Sequence, residues 1–304
     1  MTSKTSLKIG IITIQNAPWK ELVERWKFID RTEFDSLWVA DHFTHWNEKE
    51  MTIFECWTTL TGMACETSKV RIGTAVTNVR WRNPAWFAKQ VLAVDHISNG
   101  RLDLGLGASG AGVGECAMTG HEVWSAKKRV EHFKEYVDIV DQLLRNPITS
   151  YKGKYYNLDG TIVLPDTIQK PRPPIYIGAR GPKMLKITAQ FADAWNTLQG
   201  IENLEETAER IEERNKLLDD YCKEIGRDPS TLRRTLGIYE NEAMHKIGPM
   251  KLYKNPEILE EIVKMSVEQG ITEIYIPYPF KEEEIPSFEN VAKEIVPELK
   301  KRYS

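Results

Sequence analysis

An acidic residue and a histidine stand side by side where a short β-rich segment ends. Asp41 and His42 follow the predicted strand Ser36–Ala40, and Trp46 comes shortly after them. Imidazole titrates near neutral pH and a neighbouring charge shifts its pKa, so His42 could act as a general acid or base. A structural histidine bonded to backbone is the alternative. The strand-end position favours the catalytic interpretation, because reacting groups of α/β barrels follow the strands.

The spacing of His42 and His45 also permits a metal-site interpretation. A zinc site needs further ligands, and no matching motif supplies one. The four cysteines form no C-x-x-C pair, so we expect reduced thiols and no structural zinc. The sequence therefore predicts no bound metal.

A glycine-rich segment follows the fourth predicted strand, Leu102–Leu106. Five glycines lie between Gly105 and Gly114, and glycine lets the backbone approach a ligand without an obstructing Cβ atom. Gly105, Gly107 and Gly110 match the letters of a G-x-G-x-x-G dinucleotide motif, but no helix begins at once and no acid follows at the required distance. We reject that motif. The remaining interpretations are a ligand-contacting loop and a merely flexible one.

A third segment combines a glycine turn with cations. Gly178 and Gly181 flank Arg180, and Pro182 and Lys183 follow. Proline is favoured in the first turn of a helix, whose free N–H groups attract phosphate. Arg180 or Lys183 could neutralise the charge of that phosphate. The segment predicts a phosphate-binding site, with an ordinary capped turn as the alternative.

The elements that must position these segments alternate between short β-rich runs and amphipathic helices. Such alternation indicates βα units around a parallel sheet, although a doubly wound sheet would alternate too. We expect a (β/α)8 TIM barrel as a single domain over residues 1–304, with a hairpin-like insertion, Ser150–Pro165, between the fourth helix and the fifth strand. Asn83 and Pro84 predict the start of one helix. The predicted strands are Lys8–Ile14, Ser36–Ala40, Val70–Thr77, Leu102–Leu106, Ile175–Gly178, Ala194–Thr197, Thr235–Tyr239 and Glu273–Pro277.

The composition is that of an ordinary globular protein. Of the 304 residues, 41% are hydrophobic and 28% are charged, and the formal net charge is −3. Because both signs of charge are interspersed, no basic surface for a nucleic-acid backbone is expected. No apolar run approaches the length of a membrane span, and Met1–Lys8 lacks the apolar core of a signal peptide. We therefore expect a cytoplasmic protein with a small-molecule substrate and neither a membrane nor a nucleic-acid partner.

Several motifs, taken in order, resemble the luciferase-like monooxygenase superfamily over nearly the full chain. That superfamily divides between enzymes that use reduced FMN with dioxygen and oxidoreductases that use the deazaflavin coenzyme F420. Asp41–Trp46 resembles the pattern in F420-dependent sugar-phosphate and alcohol dehydrogenases, and Gly178–Leu185 is similar to F420-dependent methylenetetrahydromethanopterin reductases. The motifs are Ala40–Phe43, Arg71–Val76, Asn83–Ala85, Asp95–Leu102, the glycine loop, Tyr151–Tyr156 and Pro174–Pro182.

The resemblance implies an F420-dependent oxidoreductase that transfers a hydride between the deazaflavin and a small organic substrate, with an FMN-dependent monooxygenase as the alternative. It further implies a homodimer. Asp41 and His42 would lie near the deazaflavin ring as catalytic residues, with His42 as the base. Trp46 would wall the site, and Glu115 would assist catalysis. The cofactor-binding residues that the resemblance implies are Asp41, Ala75, Val76, Gly107, Gly178, Ala179, Arg180, Gly181 and Pro182.

Two further details follow from the resemblance. Ala75 and Val76 correspond to a non-prolyl cis peptide of the family, whereas plain strand core would be the other interpretation. The segment Thr197–Asn203 lacks the lysine that sugar-phosphate dehydrogenases carry there. We therefore do not expect a phosphorylated sugar as the substrate.

Overall fold

The computed structural model describes residues 6–45, 50–109, 113–199, 201, 203–238, 252–253, 255–279 and 281–303. Strands and helices alternate along these ranges. The strands are β1 (Lys8–Thr13), β2 (Ser36–Val39), β3 (Arg71–Thr74), β4 (Thr77–Asn78), β5 (Leu102–Gly107), β6 (Ile148–Lys152), β7 (Asn157–Ile162), β8 (Ile175–Gly178), β9 (Ala194–Gln199), β10 (Arg233–Ile238) and β11 (Glu273–Pro277). The helices are α1 (Trp19–Asp30), α2 (Cys56–Glu66), α3 (Pro84–Ile97), α4 (Val113–Met118), α5 (Ala126–Arg145), α6 (Pro182–Phe191), α7 (Leu204–Glu224), α8 (Pro256–Glu268), α9 (Ile285–Asn290) and α10 (Val296–Arg302).

Eight of the strands form a closed parallel barrel. Hydrogen-bonded neighbours follow the order β3, β2, β1, β11, β10, β9, β8 and β5, and β5 pairs back with β3. The short β4 continues beyond β3 and also pairs with β5. This arrangement confirms the predicted (β/α)8 TIM barrel, while its extent as one domain over residues 1–304 stays a prediction.

Helix periodicity and capping explain why the sequence indicated most of these elements. Leu22, Trp26 and Ile29 fall on one face of α1, as predicted, and all three are buried. The Asn83 side chain accepts a hydrogen bond of 2.9 Å from the Ala85 N–H and so caps α3, whose first residue is Pro84. The predicted start of this helix is therefore confirmed.

One helix that supports the barrel, α2, was not predicted. Its sequence contains several threonines and a glycine, which have low intrinsic helix propensity, so its pattern is weak. Its cap is also unusual, because the Glu55 carboxylate accepts a 2.7 Å hydrogen bond from the Thr58 N–H in place of a shorter capping side chain. The buried face of α2, which includes Trp57 and Leu60, packs on the outside of the barrel.

The predicted insertion is an antiparallel hairpin formed by β6 and β7. Its turn is fastened to α5 through one carboxylate. Glu135 accepts backbone hydrogen bonds from Lys154, Tyr155 and Tyr156 at 2.9, 2.9 and 2.8 Å. The insertion is thus an excursion on the barrel exterior, and the eight-stranded ring continues past it.

Buried charges fill the amino-terminal end of the barrel. Glu273, at the start of β11, accepts hydrogen bonds from Arg233, Tyr176 and Tyr275 at 2.7, 3.0 and 2.9 Å. The first residues of β10 and β11 and an early residue of β8 therefore close this end with a paired network. In barrels of this kind the amino-terminal end contributes to stability, and the functional residues lie at the opposite, carboxyl-terminal rim.

Within the described ranges, no helix combines the length and the apolar character that crossing a membrane requires. The cytoplasmic location and the lack of a nucleic-acid partner stay predictions from the sequence.

Candidate active site

A cavity of about 610 Å³ opens where the barrel strands end at their carboxyl termini. Its volume is typical of a small-molecule or cofactor site. Pro182 begins α6 next to the cavity without lining it, and Trp46 lies outside the described residues. The predicted site residues that line the cavity are Asp41, His42, Ala75, Val76, Gly107, Glu115, Gly178, Ala179, Arg180 and Gly181.

His42 and Glu115 meet at one side of this cavity. Nδ1 of His42 lies 3.2 Å from Oε1 of Glu115, and the same oxygen accepts a 2.8 Å hydrogen bond from the Phe43 N–H. The short helix α4 presents Glu115 in its first turn. The loop after β2 and the segment after β5 are therefore joined through a single carboxylate.

The electrostatics of the pair define which imidazole nitrogen is basic. Partial burial raises the pKa of Glu115, but the hydrogen bonds from His42 and Phe43 outweigh that effect and hold the pKa below its usual value. Glu115 is thus a carboxylate, which can only accept, so Nδ1 of His42 carries the hydrogen that it donates. In a neutral imidazole the lone pair then lies on Nε2.

The Asp41 side chain is buried in an ion pair with a residue that the sequence analysis missed. Arg82 donates to both Asp41 carboxylate oxygens, one of these contacts measuring 3.1 Å, and the Asn78 N–H donates to Oδ2 at 2.8 Å. Burial raises the pKa of the Asp41 carboxyl group, and the Arg82 and Asn78 contacts oppose that rise. Asp41 therefore ties the end of β2 to the continuation of β3.

Helix α2 completes this ion-pair network. Nη2 of Arg82 donates to Glu55, the capping residue of α2, at 2.6 Å. Burial lowers the pKa of Arg82, but the two carboxylates outweigh it and raise that pKa above its usual value. The indole N–H of Trp57 donates to Thr77 of β4 at 3.2 Å. Through these contacts α2 supports the strand segments that carry Asp41 and the cavity wall.

The peptide bond between Ala75 and Val76 is cis, as the resemblance implied. It separates β3 from β4, and both residues line the cavity. The Val76 side chain contacts the two glycine segments. A Cβ atom on Gly107 would lie 2.4 Å from Cγ2 of Val76, so a side chain at that position would require Val76 to shift. A Cβ atom on Gly178 would lie 3.6 Å from both Val76 methyl groups, an ordinary contact.

The amino-terminal end of α6 fits an anionic group. Gly181 occupies the N-cap position, and no side chain caps the helix. The space where a Gly181 Cβ atom would lie is open to 4 Å, and Ala179, Arg180 and Gly181 all line the cavity. Unpaired N–H groups at such a terminus bind phosphate well. We call Gly178–Gly181 the phosphate cradle.

Two further residues that line the cavity escaped the sequence analysis. Arg129, in the second turn of α5, lines the cavity and adds a second cation to Arg180. Asn196 lines it from β9. The basic run that begins α5 could have indicated Arg129, whereas nothing local distinguishes Asn196 or Arg82.

The possible metal site at His42 and His45 gains no further ligand. Across the described ranges, no group of three histidine, cysteine, aspartate or glutamate side chains is placed to hold a metal ion. His45 itself is buried.

The family of luciferase-like monooxygenases matches residues 3–239, and the chain belongs to that family. It is 31% identical over 189 residues to a 5,10-methylenetetrahydromethanopterin reductase of Archaeoglobus fulgidus, across 62% of this chain and 52% of the reductase. It is also 31% identical over 182 residues to an F420-dependent glucose-6-phosphate dehydrogenase of Amycolatopsis mediterranei, across 60% and 54% of the two chains. The alignments thus span about half the length of these relatives.

A solved structure confirms the likeness of fold. An F420-dependent secondary alcohol dehydrogenase in complex with an F420–acetone adduct superposes with a TM-score of 0.77 at 21% identity. The superposition covers 94% of this chain and 98% of the dehydrogenase. The likeness therefore extends over the whole barrel.

Proposed function

We propose that the protein is an oxidoreductase that binds coenzyme F420 in the cavity and transfers a hydride between it and a small organic substrate such as an alcohol. The names of the relatives support this cofactor. The observation that carries the proposal is that one cavity contains both the His42–Glu115 pair and the phosphate cradle. Bound F420 would supply a carbon centre that accepts or donates a hydride.

In this proposal His42 accepts the proton from the substrate and donates it in the reverse direction. During oxidation of an alcohol, Nε2 of His42 would accept the O–H proton, and bound F420 would supply the acceptor for the hydride from the same alcohol. Glu115 holds the ring by Nδ1 and stabilises the imidazolium ion that results, since their contact becomes an ion pair. In the reducing direction the same nitrogen returns the proton to the carbonyl oxygen.

The phosphate cradle and the two arginines would hold the cofactor phosphate. The uncapped N–H groups of α6 provide donors, Arg180 provides positive charge from the turn before α6, and Arg129 provides it from α5. Val76 and Gly107 would form the wall against the ring. FMN also carries a phosphate, so the FMN-dependent monooxygenase remains the second candidate, supported by the family to which the chain belongs.

Asp41 has a positioning role. Its carboxylate is occupied by Arg82 and by the Asn78 N–H, so it fixes the backbone from which His42 projects. That places His42 and the wall residue Val76 on a common support. We therefore separate Asp41 from the proton-transfer pair with which the sequence analysis grouped it.

One feature of the sequence bears on the substrate class. The stretch Thr197–Asn203, which includes the end of β9, contains no lysine, so we do not propose a sugar phosphate. A small alcohol or carbonyl compound needs no such cation.

We further propose that the chain forms a homodimer through exposed apolar residues of α3 and of the loop that follows β7. Trp86, Leu164 and Ile168 are exposed by 76%, 50% and 42%. Lys89 donates to the Leu164 carbonyl at 3.1 Å, and Nε2 of His96 lies 2.8 Å from the Asp166 carbonyl, so this loop lies along α3. Large exposed apolar groups of this kind commonly mark protein interfaces.

The test of the cofactor proposal is the relative affinity for F420 and FMN. Tighter binding of F420, followed by its reduction in the presence of an alcohol, is the expected result. Tighter binding of FMN would move the proposal to the monooxygenase.

A further inference from the structure

Asn196 lines the cavity but belongs to neither the proton-transfer pair nor the phosphate cradle. It lies on β9, in register with Gly178 of β8 and Thr235 of β10. The residue is 6% exposed, so its amide is almost entirely surrounded by protein. A buried amide beside a ligand cavity needs partners for both of its polar atoms.

The neighbouring strand determines how the Asn196 amide is turned. Nδ2 of Asn196 lies 2.9 Å from Oγ1 of Thr235, and that hydroxyl donates to the Trp195 carbonyl at 3.0 Å. Because the hydroxyl hydrogen is already used, Oγ1 can only accept from the amide. Turning the amide over would set two acceptors against each other. Nδ2 therefore points to β10, and Oδ1 is the atom left for a ligand.

No described residue donates a hydrogen bond to Oδ1 of Asn196, whose only side-chain hydrogen bond in those ranges is the one to Thr235. Oδ1 is not fully enclosed by protein, so it faces the cavity, where a ligand can reach it. The cavity thus contains a fixed acceptor that a ligand bearing an N–H or O–H group would satisfy.

The position of Asn196 lies between the parts of the cavity assigned to the ring and to the phosphate. Its main-chain oxygen accepts a 3.2 Å hydrogen bond from the N–H of Ala179, in the phosphate cradle. Its strand neighbour Gly178 lies beside Val76 of the ring wall. In F420, as in FMN, a polyol chain with free hydroxyl groups links the ring to the phosphate.

We propose, building on the cofactor assignment above, that Oδ1 of Asn196 accepts a hydrogen bond from a hydroxyl group of this polyol chain. Thr235 is then a positioning residue that holds the amide in the accepting orientation. Asn196 selects cofactors that carry a polyol over ring systems in which an alkyl group replaces it, because such rings leave the acceptor unpaired.

The test compares dissociation constants for three ligands in wild type and Asn196→Leu. The ligands are F420, its phosphate-free ribityl deazaflavin and the N10-methyl deazaflavin. Quenching of fluorescence measures the binding of each. We expect Asn196→Leu to weaken the two polyol ligands roughly tenfold and to leave the methyl ligand unchanged. Thr235→Val, which preserves the volume in β10, should weaken the same two ligands by a smaller factor and serves if the leucine variant does not fold.

A buried threonine of the hairpin provides the matched control, since Thr149→Val should change none of the constants. Equal affinities for wild type and both cavity variants would overturn the inference. An equal loss with the methyl ligand would overturn it too, because the ring and not the polyol would be the partner. If wild type binds FMN in place of F420, the cofactor assignment fails, and FMN, riboflavin and lumiflavin then test Asn196 in the same way.

Discussion

Oε1 of Glu115 lies 3.2 Å from Nδ1 of His42, although the two residues are 73 positions apart in the chain. The barrel brings them together because β2 and β5 end at the same rim. One carboxylate then orients the imidazole, restrains the following backbone through the Phe43 N–H, and leaves Nε2 as the basic atom. This contact joins two separate sequence motifs into the unit that we propose for proton transfer.

Replacing Glu115 with glutamine should slow turnover without loss of cofactor. The amide keeps the size of the side chain but cannot form an ion pair with an imidazolium ion, so we expect kcat to fall roughly ten- to a hundredfold. The Kd for F420 should stay close to that of wild type. Steady-state kinetics and fluorescence titration measure the two quantities, and a variant with unchanged kcat would remove Glu115 from the mechanism.

The same variant has a pH signature. The folded protein holds the pKa of Glu115 below its usual value, so the contribution of this carboxylate to stability is complete above the pKa of an unfolded glutamate. It is lost as the pH falls through the lower folded value. The difference in unfolding free energy between wild type and Glu115→Gln should therefore be constant near neutral pH and shrink in acid.

Breaking the Asp41–Arg82 pair should destabilise the protein. Asp41→Ala leaves a mostly buried guanidinium with Glu55 as its remaining carboxylate partner, and removing one member of a buried pair costs about 3–5 kcal/mol. Urea unfolding measures this cost. The exposed pair of Lys216 and Glu212 provides the control, since Lys216→Ala should cost less than about 1 kcal/mol. Similar small costs for both variants would contradict the positioning role.

Two glycines of the cavity should respond differently to alanine. Gly107→Ala places a Cβ atom 2.4 Å from Val76 Cγ2, and such overpacking costs about 1–3 kcal/mol of stability. Gly181→Ala meets open space within the protein, so stability should change little while F420 affinity falls, because the methyl group enters the phosphate cradle. Thermal unfolding and titration separate the effects. The reverse pattern would mean that the cradle lies elsewhere.

The exposed apolar residues of α3 and of the loop that follows β7 predict a concentration-dependent dimer. Trp86→Glu buries a charge in the proposed interface, so light scattering should give the monomer mass for this variant and the dimer mass for wild type. Ile225→Glu alters another exposed apolar residue, at the end of α7, and should remain dimeric. A monomeric wild type would refute the interface.

Hydrophobic periodicity, together with capping and turn residues, was sufficient to predict most strands and helices of the barrel. Several features are local patterns that can be recognised from the sequence alone. They are the alternation of elements, the Asn83 cap and the glycine turn before α6. Helix α2 was missed for the opposite reason, since its threonines and glycine give little local signal and tertiary packing stabilises it.

The residues of the candidate site could be predicted where several of them stand together in one short motif. His42 and the phosphate cradle lie at strand ends, and their residue types indicate a ligand-binding or catalytic site. Arg82 contacts Asp41, which is 41 residues away in the chain, so no local pattern indicates the pair. Asn196 lies within β9, whose sequence is typical of a core strand. Their roles arise from closure of the barrel, which places side chains from separate βα units on one cavity.

The decisive experiment is titration of the purified protein with F420 and with FMN, for wild type and His42→Ala. We expect F420 to bind more tightly than FMN to both proteins. Wild type should reduce F420 with an alcohol substrate, and His42→Ala should do so at least a hundredfold more slowly, roughly the contribution of a general base. Tighter binding of FMN, or undiminished turnover by His42→Ala, would contradict the proposed function.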